Sequence, residues 1–416
     1  MRELALTVGD PQDAYPVLHL TGTNGKGSTA RMLTALLRAR GLRVGTYTSP
    51  DLEQVNERLA HDGEPIADAD LADILALVAD AETLMEEPPN RFEILTAAAL
   101  RWFSDVAVDV AVVEVGLGGT HDATNVVDGR VAVVTNVSPD HLDVIGPTLA
   151  DIAREKAGIV KPGATLVLGE TAPDLAAIFR GAATAAGADW TWERDTDFGC
   201  EVNQPAHGGR LLDLRTPGAR YPGVYLALHG AHQGDNAACA LMAAEAFFGA
   251  PLHRDVVEEG FATATSPGRM EVVGRQPLCL LDGAHNPAGA RAAGATLAEE
   301  FAAAGRRVVV MGVLRGRDPA EMLAGLSPAG LAHVVACRPP SPRALPPADV
   351  AAAAIALGIP AEVVDDVGAA VDRARARAGP GDLVLVTGSL YVVGAARAAV
   401  LGHPSHHGAA AVPAPG

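Results

Sequence analysis

Short apolar runs alternate with longer amphipathic stretches along the first 170 or so residues of the chain. Residues 17–20, 108–115, 131–137 and 165–168 are rich in Val and Leu over most of their length, the pattern of strands buried on both faces, and the short run 43–47 reads as a further strand. Between them, 28–40, 71–84, 92–103 and 152–159 carry apolar positions at helical spacing, and Gly41 stops the first of these helices. Such alternation predicts a mostly parallel sheet with helices on both faces. The texture changes at 198–229, where runs such as LLDL and YLAL are separated by Gly and Pro, which predicts a small antiparallel insertion. A second strand–helix series follows Ser266-Pro267-Gly268, with strands at 278–281, 308–313, 333–337, 362–364 and 383–387. The expected architecture is α/β with two domains: 1–265, and a Rossmann-like 266–402. Residues 403–416 read as a disordered tail whose His406 and His407 reflect composition, not a metal site.

A length of 416 residues exceeds what one core organises, in keeping with two domains. The formal net charge of -18, with no basic run, argues against a nucleic-acid or anionic-membrane surface. An anionic ligand must therefore meet a local positive site. Cys200, Cys239, Cys279 and Cys337 lack C-x-x-C spacing, so neither a zinc nor a redox motif is expected. Polar sequence directly after Met1, and no run of about 18 apolar residues, predict a soluble cytoplasmic protein.

Chemistry enters at VLHLTGTNGKGSTARML, residues 17–33. An apolar strand, a Gly-rich loop and a helix follow in the order a phosphate loop needs, because backbone N–H groups and the helix N-terminus favour anions. Lys26 is placed for the β- and γ-phosphates and Ser28 for Mg²⁺. Gly27, between them, departs from the plain G-x-x-x-x-G-K-[ST] spelling. EVGLGGTHDATN then places Glu114 at the carboxyl end of a strand, as a metal ligand or as a strand-end glutamate beside a Gly turn. Ser138-Pro139-Asp140-His141 ends the next strand in the same way, with a carboxylate and an imidazole.

GTNGKGS, the Ser49-Pro50 pair, RFEILTAAAL, EVGLGG with DATN, DH followed by IAREKAGI, HGAHQGDNA, PGRME, LDGAHNP and TGSLYVVG occur in that order. Together they resemble the folylpolyglutamate and dihydrofolate synthases of the Mur ligase superfamily over nearly the whole chain. The resemblance implies a P-loop ATPase domain, a Rossmann-like glutamate ligase domain and a site closed between them. It implies that Gly22, Thr23, Asn24, Gly25, Lys26, Gly27, Ser28 and Thr29 cradle ATP, with Asn236 at the adenine, Arg269 at a phosphate and Asp282 at the ribose. Ser28 and Glu114 would hold one Mg²⁺, and Glu114 and His141 a second. Lys26, Glu114, His141 and Lys156 form the implied catalytic set, Lys156 as a carbamylated lysine. Ser49, His285 and Ser389 match positions near the phosphates and incoming glutamate; Phe92, Asp122 and Ala123 resemble the pterin-benzoate lining. The implied substrates are ATP, L-glutamate and a dihydropteroate or folyl acceptor, handled by a monomer without nucleic-acid or membrane partners.

Three departures stand out. Only sixteen residues precede Val17, Thr120-His121 replaces an arginine that commonly follows the double glycine, and Asp51 stands where an imidazole is common. Two other readings stay open at this level: a Mur-type ligase for another carboxylate and amino acid, and an ATP-binding homologue without catalysis.

Overall fold

The computed structural model describes residues 1–140, 142, 144–326 and 329–402; His141 and the expected tail at 403–416 lie outside the described residues. Two units emerge from the contacts. The first comprises Met1–Asp51, Val55–Ala227 and His232–Thr265; the second comprises Leu52–Gln54, Leu228–Ala231 and the chain from Ser266 onward.

The first unit runs α1 (Arg2–Thr7), β1 (Val17–Thr21), α2 (Lys26–Ala39), β2 (Val44–Tyr47), β3 (Leu59–His61), β4 (Glu64–Pro65), α3 (Asp68–Glu82), α4 (Arg91–Asp105) and β5 (Val110–Glu114). It continues with β6 (Gly129–Val134), α5 (Leu149–Ala157), β7 (Thr165–Leu168), α6 (Pro173–Ala186) and β8 (Trp190–Glu193). Then come β9 (Gly199–Ala206), β10 (Gly209–Arg215), β11 (Arg220–Leu226), α7 (His232–Phe248) and α8 (Arg254–Thr263). The large sheet has the order β4-β3-β2-β5-β1-β6-β7-β8, parallel from β2 to β8, with β3 and β4 antiparallel at one edge. Every residue of β1 and β5 is buried, as a sheet covered on both faces requires. Leu20 pairs with Glu114 and Thr21 with Val134, so the carboxyl ends of β5, β1 and β6 finish level. That edge is where open α/β sheets bind ligands.

The insertion is a separate three-stranded antiparallel sheet with β10 in the middle, as the Gly/Pro-punctuated texture predicted. Boundaries moved at the strand ends: β6 stops at Val134, and the Thr135 and Asn136 side chains that follow it bond the phosphate loop. Helix α5 starts earlier than expected, behind a Thr148/Asp151 capping box, and ends at Ala157 before Gly158.

The second unit runs β12 (Glu271–Arg275), β13 (Leu278–Leu281), α9 (Pro287–Glu300), β14 (Arg307–Met311), α10 (Pro319–Leu326), β15 (Leu331–Ala336) and α11 (Pro347–Ala356). It ends with β16 (Ala361–Val363), α12 (Val367–Arg377), β17 (Leu383–Thr387) and α13 (Leu390–Leu401). Its order is β12-β13-β17-β14-β15-β16, parallel except for β12 at one edge. Leu52 packs into its core beside Val392 and Val393, and Arg397 pairs with Glu53 and, at 3.0 Å, with Glu271. His229 likewise meets Glu300 at 2.6 Å.

Candidate active site

The loop after β1 is held in shape before any ligand arrives. Gly25 has φ +84°, and a Cβ there would lie 2.4 Å from Asn236 Oδ1 on α7, so only glycine fits. Asn136 braces the loop from β6: its carbonyl accepts from Thr23 N at 2.9 Å and its Oδ1 from Asn24 N at 3.0 Å, while its Nδ2 donates to Asn24 O at 2.9 Å. Thr135 Oγ1 donates to the same carbonyl at 2.7 Å, and Ser138 N donates to Thr23 Oγ1 at 3.0 Å. In the sequence Ser138 stands out only as part of the strand-end Ser138-Pro139-Asp140-His141, and nothing local marks Thr135 and Asn136; the polar run TNVS closing an apolar strand was the available signal. Thr29 sits in the first turn of α2, its buried hydroxyl without a protein partner in the structure.

Two lysines converge on one carbonyl. Lys26 Nζ donates to Gly22 O at 3.1 Å and Lys156 Nζ donates to the same oxygen at 2.9 Å. Lys156 is 4% exposed, and burial, reinforced by the Lys26 charge, lowers its pKa from 10.5 to about 7 against the opposing pull of Asp140, Glu155 and Asp122. Burial thus gives this amine a neutral fraction near neutral pH that a solvated lysine lacks. Glu114, 3% exposed, faces the loop: a side chain on Gly27 would begin 3.5 Å from its Oε2. The same Oε2 accepts from Ser49 N at 3.2 Å, and Ser28 is buried one residue beyond Gly27. The glycine between Lys26 and Ser28 leaves the way from loop to carboxylate clear.

Beside this cluster lies a more apolar wall. Phe92 packs 6.0 Å from the Tyr47 ring and against Gly116, where a Cβ would meet Phe92 Cζ at 2.4 Å. Asp122 shapes the following turn, its oxygens accepting from Leu117 N at 2.8 Å and from Thr124 N at 3.0 Å, with Ala123 between. Thr120 N donates to Glu155 O at 2.9 Å, and His121 N and Nδ1 lie 3.0 and 3.1 Å from the Glu155 carboxylate. This stitch ties the turn to the end of α5, one residue before Lys156.

In the second unit the sequence-predicted residues gather at the carboxyl ends of β13 and β17. Asp282 follows β13; its Oδ2 accepts from Met270 N and its Oδ1 from Ala284 N, both at 3.0 Å. Burial raises its pKa, while the neighbouring Arg269 and these two N–H groups hold it down. His285 Nδ1 donates to Gly283 O at 2.9 Å, which fixes the proton on that nitrogen. Ser389 caps α13, its hydroxyl accepting from Val392 N at 3.3 Å.

Mg²⁺ takes oxygen ligands, usually one or two from protein with the rest from phosphates and water. A buried carboxylate and a buried hydroxyl beside a phosphate loop fit that demand. Among the described residues no group of three or more His, Cys, Asp or Glu side chains could hold a metal ion. No helix among the described residues is long and apolar enough to cross a membrane.

A P-loop sheet followed by a Rossmann-like unit defines the class. Residues 20–244 match the Mur ligase middle domain and 268–390 the Mur ligase glutamate ligase domain. The chain is 40% identical to the dihydrofolate synthase/folylpolyglutamate synthase of Mycobacterium tuberculosis, covering 94% of this chain and 87% of that protein. A structure of M. tuberculosis folylpolyglutamate synthase complexed with ADP superposes with a TM-score of 0.92 at 39% identity, over 97% of this chain and 95% of that one. The bifunctional folylpolyglutamate synthase/dihydrofolate synthase from Yersinia pestis, complexed with AMPPNP and Mn ion, gives 0.84 at 31% identity, over 96% and 92%. The chain belongs to the folylpolyglutamate synthase/dihydrofolate synthase family of ATP-dependent ligases.

Proposed function

We propose that this chain joins L-glutamate to dihydropteroate, to a folyl-(poly)glutamate, or to both, using ATP and passing through an acyl phosphate. The observation that carries the reading is the convergence of Lys26 and Lys156 on the Gly22 carbonyl, beside buried Glu114 and Ser28. Two amines on one carbonyl cannot both carry full charge comfortably until an anion lies between them. A nucleotide phosphate on the loop and a carbamate on Lys156 are the two anions that chemistry offers.

A carboxylate resists attack by an amine because oxide is a poor leaving group. Its oxygen therefore takes the γ-phosphoryl group, ADP departs, and the α-amine of glutamate attacks the resulting acyl phosphate, releasing phosphate and a proton. Lys26 offsets charge on the transferred group, and the loop N–H groups orient the phosphates. Ser28 and Glu114 would hold one Mg²⁺, and Glu114 and His141 a second; bound with ATP, such ions neutralise phosphate charge. The neutral fraction of Lys156 can add carbon dioxide, losing a proton and turning a potential ammonium into an anion. Asn236 is assigned to the adenine, with Gly22, Thr23, Asn24, Gly25, Gly27 and Thr29 around the phosphates. In the second unit Arg269 is assigned to a phosphate, Asp282 to the ribose, and His285 and Ser389, with Ser49 of the first unit, to the phosphates and glutamate. Phe92, Asp122 and Ala123 are assigned to the pterin-benzoate side.

The decisive assay is ADP release in the presence of glutamate with either dihydropteroate or tetrahydrofolate. Stimulation by one or both is expected. No stimulation by either overturns the folate reading, and nucleotide binding without phosphate release would instead mark a non-catalytic homologue.

A further inference from the structure

Arg210, on β10 of the insertion sheet, is fully buried, although a permanently charged guanidinium is costly to remove from water. Packing alone would favour Met or Leu there. Two of the hydrogen bonds that the guanidinium donates go to one residue, Asn203. Its Nε donates to Asn203 Oδ1, and its Nη2 donates to Asn203 O at 3.1 Å. With Oδ1 committed to Arg210, the Asn203 amide is oriented so that Nδ2 lies over Gly234, where a Cβ would stand 2.3 Å away. Gly234 belongs to the first turn of α7. Next to it Gln233 Oε1 accepts from Asn236 Nδ2 at 3.0 Å, and Asn236 Oδ1 lies against Gly25 of the phosphate loop. The start of α7 is thus held between the insertion sheet on one side and the loop on the other, through a continuous series of contacts.

We propose that Arg210 is a positioning residue for the nucleotide base: through Asn203 and the first turn of α7 it fixes where Asn236 stands relative to the loop. The proposal rests on the assignment of Asn236 to adenine. It gives the insertion a task in base selection that its distance in sequence from the loop conceals.

The test is the ratio of kcat/KM with ATP to that with GTP, measured on the full chain. Asn236→Ala serves as the reference and should lower that ratio about tenfold, the worth of one well-placed hydrogen bond. Arg210→Met should lower the ratio in the same direction, mainly through a higher KM for the nucleotide, with the KM for glutamate within about twofold. Arg210→Lys, which keeps the charge but not the double grip, should fall between. If Arg210→Met does not fold, Asn203→Ser is read in its place, since it removes the amide over Gly234 and leaves the backbone oxygen for Arg210. A lowered ratio in Asn236→Ala with an unchanged one in the Arg210 or Asn203 variant overturns the proposal. An unchanged ratio in Asn236→Ala overturns the adenine assignment itself, and the Arg210 inference with it.

Discussion

Replacing Lys156 with methionine should separate stability from activity. In the fold its pKa falls from 10.5 to about 7, first by burial and then by the charge of Lys26; in the unfolded chain it returns to about 10.4. Between those values unfolding takes up a proton, so the parent gains stability as pH rises from about 7 toward 10.5. Below about pH 7 both states are protonated and the penalty is constant. Bringing an amine from 10.5 down to about 7 corresponds to a cost of about 5 kcal/mol at pH 6, shrinking to about 2 kcal/mol at pH 9. Lys156→Met removes the charge and leaves an unbranched side chain one atom shorter. The margin by which the variant exceeds the parent should therefore narrow by about 3 kcal/mol between pH 6 and pH 9. All three tryptophans, Trp102, Trp190 and Trp192, lie in the first unit, so their fluorescence during urea unfolding of nucleotide-free protein reports the unit that holds Lys156. Turnover of the same variant should fall by about 100-fold or more, and bicarbonate should not restore it. Parallel stability–pH curves for parent and variant would refute the electrostatic argument, and near-normal turnover would remove Lys156 from the mechanism.

Other perturbations address the remaining parts. Glu114→Gln keeps the Ser49 contact but loses the charge, so turnover should drop by about 100-fold and more Mg²⁺ should be needed for half-saturation; an unchanged Mg²⁺ titration would exclude Glu114 as a ligand. Gly25→Ala places a methyl 2.4 Å from Asn236 Oδ1 at a φ of +84°, and calorimetry should show ADP binding weakened by about tenfold or more. Asp282→Asn turns an acceptor of two backbone N–H groups into a group with one donor end facing them, so kcat/KM for ATP should fall while the KM for glutamate stays near that of the parent. Turnover with saturating substrates should also decline as pH drops below about 7, where Lys156 becomes an ammonium; a flat profile from pH 8 to 6 would contradict a role for the neutral amine.

The sheets were legible because both are buried on two faces, which writes continuous apolar runs into the chain; β1, β5, β13 and β17 are of this kind. The hairpin β3–β4 and the edge strand β8 were not, since the first is two or three residues per strand and the second reads WTWE. The loop glycines and Lys26 announced themselves through local spacing. The brace from Asn136, more than a hundred residues away, could not, because a side chain bonding a distant backbone leaves no periodic trace. Lys156 was visible as a residue but not as an environment: nothing in EKAGI says that the amine is buried on Gly22 O beside Lys26. The attachment of Leu52–Gln54 to the second unit was equally silent, since it depends on Glu53 meeting Arg397.

Two departures in the sequence acquire a physical meaning from their partners. Asp51, where an imidazole is common, pairs with Arg58 at 2.6 Å, both side chains only 13% exposed, so the added carboxylate brings no net charge toward the loop. Thr120-His121, where an arginine is common, closes instead on Glu155: the turn still docks on α5, but with an imidazole that is mostly exposed in place of a permanent cation. Neither change reaches Lys26, Ser28 or Glu114. Both lie on segments that lead into the apolar wall of Phe92 and the Asp122 turn, the side assigned to the acceptor. Under that assignment the two departures bear on the acceptor side and leave the loop residues that would meet ATP as they are.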